Sequence, residues 1–221
     1  MEIINKIILL APAILVAMTV HEMAHAFASF KMGDDTAKLM GRVSLNPLRH
    51  LDPMGTLFFL VSAWAGMGIG WAKPVPVNYR RMKNARLGII LVSAAGPAAN
   101  MLTVLALGIM TYAAVIWQWT FFFYILDFVF TIAYVNAIFA FFNLLPLPPL
   151  DGSGMVTGLL PAGAARVYQK FSRYGFLVLM VLIFLPLATQ GFPDILKELV
   201  REPALNLINI CFPISLSAMF R

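Results

Sequence analysis

The sequence predicts an all-α polytopic membrane protein: a bundle of about five or six transmembrane helices, with a re-entrant or partly extended segment beside the functional site. Three observations lead there. Hydrophobic residues make up 61% of the 221 residues and charged residues only 12%, which is too apolar for a soluble globule. Several apolar runs reach the roughly 20 residues that a helix needs to cross a bilayer. One of them, "AILVAMTVHEMAHAFASF" at 13–30, holds two histidines and a glutamate, and ionisable groups in such a place are costly.

The first helix is expected near 7–30. Only Lys6 precedes it as a basic residue, and the run passes signal-peptide length without a small-residue cleavage site, so it reads as a retained helix. The segment 54–72 is apolar but short and studded with glycine, which suits a re-entrant hairpin as well as a span. Further helices are expected near 87–117, 121–148 and 174–190, with a fifth candidate at 204–220 interrupted by Pro213. No repeat, low-complexity tract or polar linker divides the chain, so 1–221 reads as one transmembrane domain with its core motifs within 15–155.

Charge sets the orientation. Lys73, Arg80, Arg81, Lys83 and Arg86 stand together without an acid, and Arg166, Lys170 and Arg173 follow the third helix. The positive-inside rule puts both groups in the cytoplasm of a multi-pass protein of the cell membrane. "QWT" is then an external connection, with Trp117 and Trp119 at the interface. If 54–72 is re-entrant, 31–53 is also cytoplasmic and "HEMAH" lies near the cytoplasmic end of its helix. The net charge of +6 is mostly this orientation signal. With no polar domain to display it, it excludes a nucleic-acid partner. The single Cys211 forms no intramolecular disulfide.

Residues four apart share a helix face, so His21 and His25 can offer ring nitrogens to one metal ion while Glu22, about 100° round, sits beside it. A zinc hydrolase needs that arrangement: two neutral imidazoles on Zn²⁺, and a carboxylate to take the proton from an activated water. The alternative is packed histidines and a hydrogen-bonded glutamate, which in a membrane span would bury three ionisable groups without a shared ion.

A catalytic zinc wants a third protein ligand. His50, the one other histidine, lies in "LNPLRHLDP", where solvated or substrate-contacting roles are more natural. In "NLLPLPPLDG" at 143–152, prolines 146, 148 and 149 end a helix and force extended backbone, which delivers Asp151 at the depth of the histidines. An ordinary Asp-Gly turn would read the same way in isolation.

"HEMAH" and "NLLPLPPLDG" together resemble the two signature motifs of the site-2 protease family, the intramembrane zinc metalloproteases. Asn143, Pro146, Pro148, Leu150, Asp151 and Gly152 stand where the second motif wants them. "GRVSLNPLRHLDPMGT", "GWAKPVPVN" and "AAGPAANM" are similar to stretches of the compact prokaryotic-type members. The resemblance implies an endopeptidase cutting transmembrane protein or peptide substrates within or next to their membrane segments. It implies one Zn²⁺ held by His21, His25 and Asp151, Glu22 as general base, and Asn143 helping to bind substrate or stabilise the oxyanion. The chain leaves no room for a PDZ or CBS domain.

Hydrolysis needs water, so the hairpin and the loops of 31–86 are expected to form a polar cavity opening to the cytoplasm. A substrate helix must unwind, and 42–53 or 73–78 could pair with it as an added strand. Gly96 and Asn100 share a face and suggest close packing with an interhelical hydrogen bond. Asp127 falls away from the Asn136 and Asn143 stripe and is expected to bond locally near Thr131. Two other classes remain open. A metal transporter would spread polar groups across the membrane rather than crowd them near one face, and a silent scaffold of the same fold would not need Glu22. The sequence does not set an oligomeric state.

Overall fold

The structure is a computed structural model, and it describes residues 2–64, 70–189 and 193–212. In chain order the helices are α1 (Glu2–Lys31), α2 (Thr36–Leu39), α3 (Pro53–Trp64), α4 (Ala85–Ile116) and α5 (Thr120–Tyr124). They continue with α6 (Leu126–Asn143), α7 (Asp151–Leu159), α8 (Ala162–Ser172), α9 (Gly175–Ala188) and α10 (Glu202–Cys211). The all-α class is borne out. Among the described residues the β pairing amounts to an isolated antiparallel bridge between Leu51 and Ala72.

Fewer helices span than the expected five or six. Among the described residues three are long and apolar enough, Ile8–Lys31, Ala85–Ile116 and Leu126–Asn143, and a fourth is reached only if the bent pair α8 and α9 counts as one. The difference arises at two places. Helical backbone runs from Ile195 through a π-helical stretch at Lys197–Arg201 into α10, which ends at Cys211; the rest of the expected 204–220 helix lies outside the described residues. The segment 54–72 doubles back, as follows.

α1, α4 and α6 pack against one another and form the frame. Ala13 and Ala17 of α1 are fully buried beside Val135 of α6; small side chains let helix backbones approach where lipid supplies no hydrophobic drive. On the far side α6 packs Phe130 and Ala133 against Val104 of α4 and Ile208 of α10. Asn84 starts α4 by accepting the Leu87 N–H at 3.0 Å, a side-chain cap. α6 stops at Asn143, just before the prolines that cannot continue it.

The re-entrant alternative for 54–72 is the one found. α3 is 12 residues long, and the chain returns to its own beginning: Ala72 bridges Leu51, and the Lys73 N–H donates to the His50 carbonyl at 2.8 Å. Phe58 and Trp71 hold the two arms together with ring centroids 5.4 Å apart. His50 itself corrects an expectation. It is fully buried rather than solvated or open to substrate, with its Nε2 bonded to the Ser44 carbonyl at 2.8 Å, and it braces the turn from which the hairpin leaves.

Two charged side chains anchor the return strand, and neither stood out in the sequence. Arg42 is 3% exposed and donates to the carbonyls of Lys73 and Pro74. Asp34, fully buried just past α1, accepts the Asn78 N–H at 2.7 Å, the Thr36 N–H at 3.1 Å and the Thr36 hydroxyl. Burial pushes the Asp34 carboxyl up, but these hydrogen bonds and the nearby Arg81 outweigh it and hold it below the usual carboxylate range.

Asp34→Ala is expected to cost about 2–3 kcal/mol, since charge-assisted bonds are lost and their donors left unmet, read as a lowered thermal midpoint in detergent. The wild-type advantage is complete above the unfolded carboxylate value of 3.8 and is lost as pH falls through the lower folded value; the Asp34→Asn protein lacks that acid-dependent component.

Candidate metal centre

Residues 21 and 25 are one helical repeat apart on α1, and their rings pack edge to face with centroids 4.6 Å apart. Both are buried, and α7 brings Asp151 to them from the other half of the chain. His21 Nε2 lies 2.9 Å from Asp151 Oδ2, and His25 Nε2 lies 3.2 Å from the same oxygen. Asp151 does not sit in an Asp-Gly turn. It is the first residue of α7, after an extended Leu150 with ψ of 156°. Gly152 allows the placement, because a Cβ there would lie 2.3 Å from the Leu144 carbonyl oxygen. The far end of α7 is tied down by Arg86, whose guanidinium donates to the carbonyls of Gly158 at 2.7 Å and Leu159 at 2.9 Å, in the manner of a basic C-cap.

α4 decides which way the imidazoles face. His25 Nδ1 is 2.7 Å from the Val92 carbonyl, which can only accept, so Nδ1 carries the proton. The Asn100 amide nitrogen donates to the Ala17 carbonyl at 3.0 Å and to Asn136 Oδ1 at 2.8 Å, which turns its oxygen to His21. His21 Nδ1 therefore donates to Asn100 Oδ1, at 2.6 Å. Nε2 is then the free ring position on each histidine, a lone pair in the neutral imidazole, and both Nε2 atoms point at the same buried Asp151 oxygen. Such a convergence in a low-dielectric site needs a proton or a metal cation to join its members.

Zinc fits this set. Two imidazoles and a carboxylate are its usual donors, and bonds of about 2.0–2.1 Å in a tetrahedron place ligands about 3.3 Å apart. The observed separations are close to that edge, and among the described residues this is the one group of three His, Cys, Asp or Glu arranged to hold an ion. Outward Nδ1–H bonds to a carbonyl and an amide are the orienting contacts that metal-bound histidines require.

Gly96 faces the centre directly. A Cβ built on it would lie 2.5 Å from His25 Nε2 and 2.6 Å from His21 Nε2, so the expected close packing is packing against the site itself. Likewise the expected interhelical bond of Asn100 is the bond that aims His21. The sequence reading missed these two roles; Gly96 and Asn100 lying one turn apart, as His21 and His25 do, was the signal available.

Glu22 borders a cavity of about 520 Å³ that runs along α1 past Met18 and Ile14 to Ala11. Phe59 and Leu60 of α3 cover it, and Phe142 and Asn143 of α6 form its other wall. The expectation of a polar cavity is corrected here. Hairpin and α6 residues turn mainly apolar side chains inward, and the polar groups gather at the end that holds His21, Glu22 and Asn143. The Asn143 amide donates to the Phe139 carbonyl at 3.0 Å. Tyr79 also belongs to this region: burial and then the Asp151 charge push its hydroxyl up, so it stays protonated. Asp127 is exposed at the start of α6, and Thr131 bonds its backbone carbonyl at 2.7 Å, not its carboxylate.

The fold and the centre define a helical membrane protein with two histidines and a carboxylate gathered beside a largely apolar trough that His21 and Glu22 border. Residues 109–186 match the model of peptidase family M50, a stretch that includes Asp151 but not the histidines. The protein named Putative zinc metalloprotease YwhC of Bacillus subtilis (strain 168) is 42% identical over 203 residues, 90% of each chain. Putative zinc metalloprotease Rip2 of Mycolicibacterium smegmatis is 32% identical over 86% of this chain and 71% of its own. The Rip2 protein of Mycobacterium tuberculosis (strain H37Rv) is 30% identical over 80% of this chain and 67% of its own. No solved structure matches. The chain belongs to peptidase family M50, the site-2 protease family.

Asn100→Ala is expected to weaken zinc binding about 10–100-fold, measured by competition with a chelator on folded protein. Gly96→Ala, which drives a methyl between the rings, is expected to weaken it at least as much, whereas Asp127→Ala leaves zinc content unchanged.

Proposed function

We propose that this protein is an intramembrane zinc metalloendopeptidase of the cell membrane, cutting transmembrane protein substrates on the cytoplasmic side. One observation carries the reading: two inward Nε2 atoms and a carboxylate oxygen meet beside a trough bordered by His21 and Glu22. Zinc metalloprotease names among relatives up to 42% identical support it. The basic groups at 73–86 and 166–173 support the orientation.

In this reading His21, His25 and Asp151 hold the ion, which supplies Lewis acidity and lowers the pKa of a water beside it. Glu22, round the helix from His21, takes the proton from the attacking water and passes it to the leaving amine. Asn143, on the opposite wall, offers an amide N–H to the carbonyl being cut or to its oxyanion. Asn100 and the Val92 carbonyl take the Nδ1 side of each ring, and with Nε2 engaged by the ion neither imidazole would compete for that proton. A transporter would need polar groups along a path, and the trough beyond this end is apolar.

The trough also bears on the substrate. From Glu22 to Ala11 is about 16 Å of helix, at 1.5 Å per residue, enough for about five residues of extended chain at 3.3 Å each. A transmembrane segment unwound beside α1 would lay its apolar residues there. Pairing of the unwound chain with the 42–53 segment as an added strand belongs to the same proposal, confined to its first part because Pro47–Arg49 form a 3-10 helix and Leu51 already pairs with Ala72. The 73–78 segment suits it less, because Arg42 already holds the Lys73 and Pro74 carbonyls.

Glu22→Gln is expected to lower cleavage of a transmembrane substrate about 10²–10⁴-fold with zinc retained, while His21→Ala and Asp151→Asn lose zinc as well. Undiminished cleavage in Glu22→Gln would end the assignment. Ile14→Trp, which fills the trough, is expected to raise KM for transmembrane substrates at least tenfold with zinc unchanged. Proline scanning across 42–53 that left cleavage intact would remove the strand-pairing element.

A further inference from the structure

α8 has three faces, and the fold uses only one. Ala165, Tyr168 and Ser172, one helical stripe, are its less exposed residues, and the helix packs against α7 and α9. Arg166, Lys170 and Arg173 form a second stripe at i, i+4 and i+7, and all three are exposed. Val167, Phe171 and Tyr174 form a third, left 54%, 66% and 50% exposed. The continuing αR backbone at Arg173 and Tyr174 keeps both stripes in register. About 100° of helix separates the cationic face from the bare apolar one.

The surroundings say what covers these faces. From Gly152 to Pro193 the chain has no Asp or Glu, so α8 and α9 offer these cations no carboxylate; Arg166 bonds the Ala162 carbonyl at 3.3 Å and Arg173 lies over the Tyr174 ring, contacts that leave their charges unneutralised. α9 leaves α8 at a bend of 55° and exposes Phe176, Leu177, Val181 and Phe184, side chains suited to lipid. A helix set at an angle to an apolar one, basic on one side and aromatic on another, has the composition of an interfacial helix.

We propose that α8 lies in the membrane–water interface as an anionic-lipid site: Arg166, Lys170 and Arg173 bind phospholipid headgroups, and Val167, Phe171 and Tyr174 enter the acyl boundary. The inference is independent of the peptidase reading. It requires a bilayer surface rather than free phosphate, because the apolar stripe must be covered together with the basic one.

The test uses the full chain in nanodiscs of phosphatidylcholine with or without phosphatidylglycerol. A spin label at Phe171→Cys, in a Cys211→Ser background, is expected about 5–10 Å below the headgroups, reached by oxygen and shielded from a water-soluble nickel relaxant. Phosphatidylglycerol retained by the protein over phosphatidylcholine, measured by native mass spectrometry, is expected to fall at least about fivefold in Arg166→Gln/Lys170→Gln/Arg173→Gln. It is expected to persist in Arg166→Lys/Arg173→Lys, which keeps the charge. A label open to nickel, or a lipid preference unchanged in the triple variant, overturns the proposal. Inorganic phosphate that competes the lipid off at millimolar concentration would also overturn it, by reducing the site to a free-anion site.

Discussion

The hydrogen bonds from His21 Nδ1 to Asn100 Oδ1 and from His25 Nδ1 to the Val92 carbonyl set the terms for the rest of the molecule. In lipid no water can satisfy an imidazole N–H, so both donors must find acceptors on a neighbouring helix at close range. That forces α1 and α4 together, and Gly96 is the residue that lets them meet at the rings. Asn100 can serve His21 only if its own amide is satisfied, which draws in Ala17 and Asn136 and ties α6 into the same network. The frame of three helices is thus also the orienting shell of the centre. A packing change between these helices and a change in the chemistry of the site are one event.

The hairpin solves a different problem. Backbone that is neither helical nor in a closed sheet is tolerated at membrane depth only where protein covers it. Here α3 goes in and the return arm comes back along it, with Leu51 and Ala72 paired at the neck. Arg42 and Asp34 take up the polar backbone of the arm on the outside of the bundle, one through carbonyls and the other through N–H groups. Charged side chains suit this task, because each can serve several backbone groups at once. The result is a cover over the trough whose inner side is apolar and whose footing is ionic.

Much of this was legible in the sequence, for identifiable reasons. Histidines one turn apart in a long apolar run, and prolines ahead of Asp151, are local patterns with steep costs, so they point to one arrangement. The three spans were legible because a bilayer demands length. Helix number differs where apolar composition suggests a crossing: in the hairpin Phe59, Leu60 and Trp71 line the trough while Met54, Leu57 and Val61 are exposed, and nothing local distinguishes the two settings. Asp34 and Arg42 carried no local signal, and the interhelical bond expected of Asn100 had no assigned partner, because the partners lie 44, 31 or 32 and 79 positions away, beyond any periodicity. His50 was misread for the same reason, since its burial depends on a strand that returns more than 20 residues later.

The centre joins residue 21 to residue 151, so an ion held there closes a loop through most of the chain. Loop-closure entropy grows with the logarithm of length, which makes this ring one of the larger constraints a single point of attachment can impose here. The reacting group and the topological fastening of α7 are then one object. Without an ion, α7 is held to α4 by packing and by the three Arg86 bonds to the Gly158, Leu159 and Leu160 carbonyls; an ion at His21, His25 and Asp151 would add a link from residue 21 to residue 151. An ion bound at His21, His25 and Asp151 would thus fix the position of α7 relative to α1 as well as supply the chemistry.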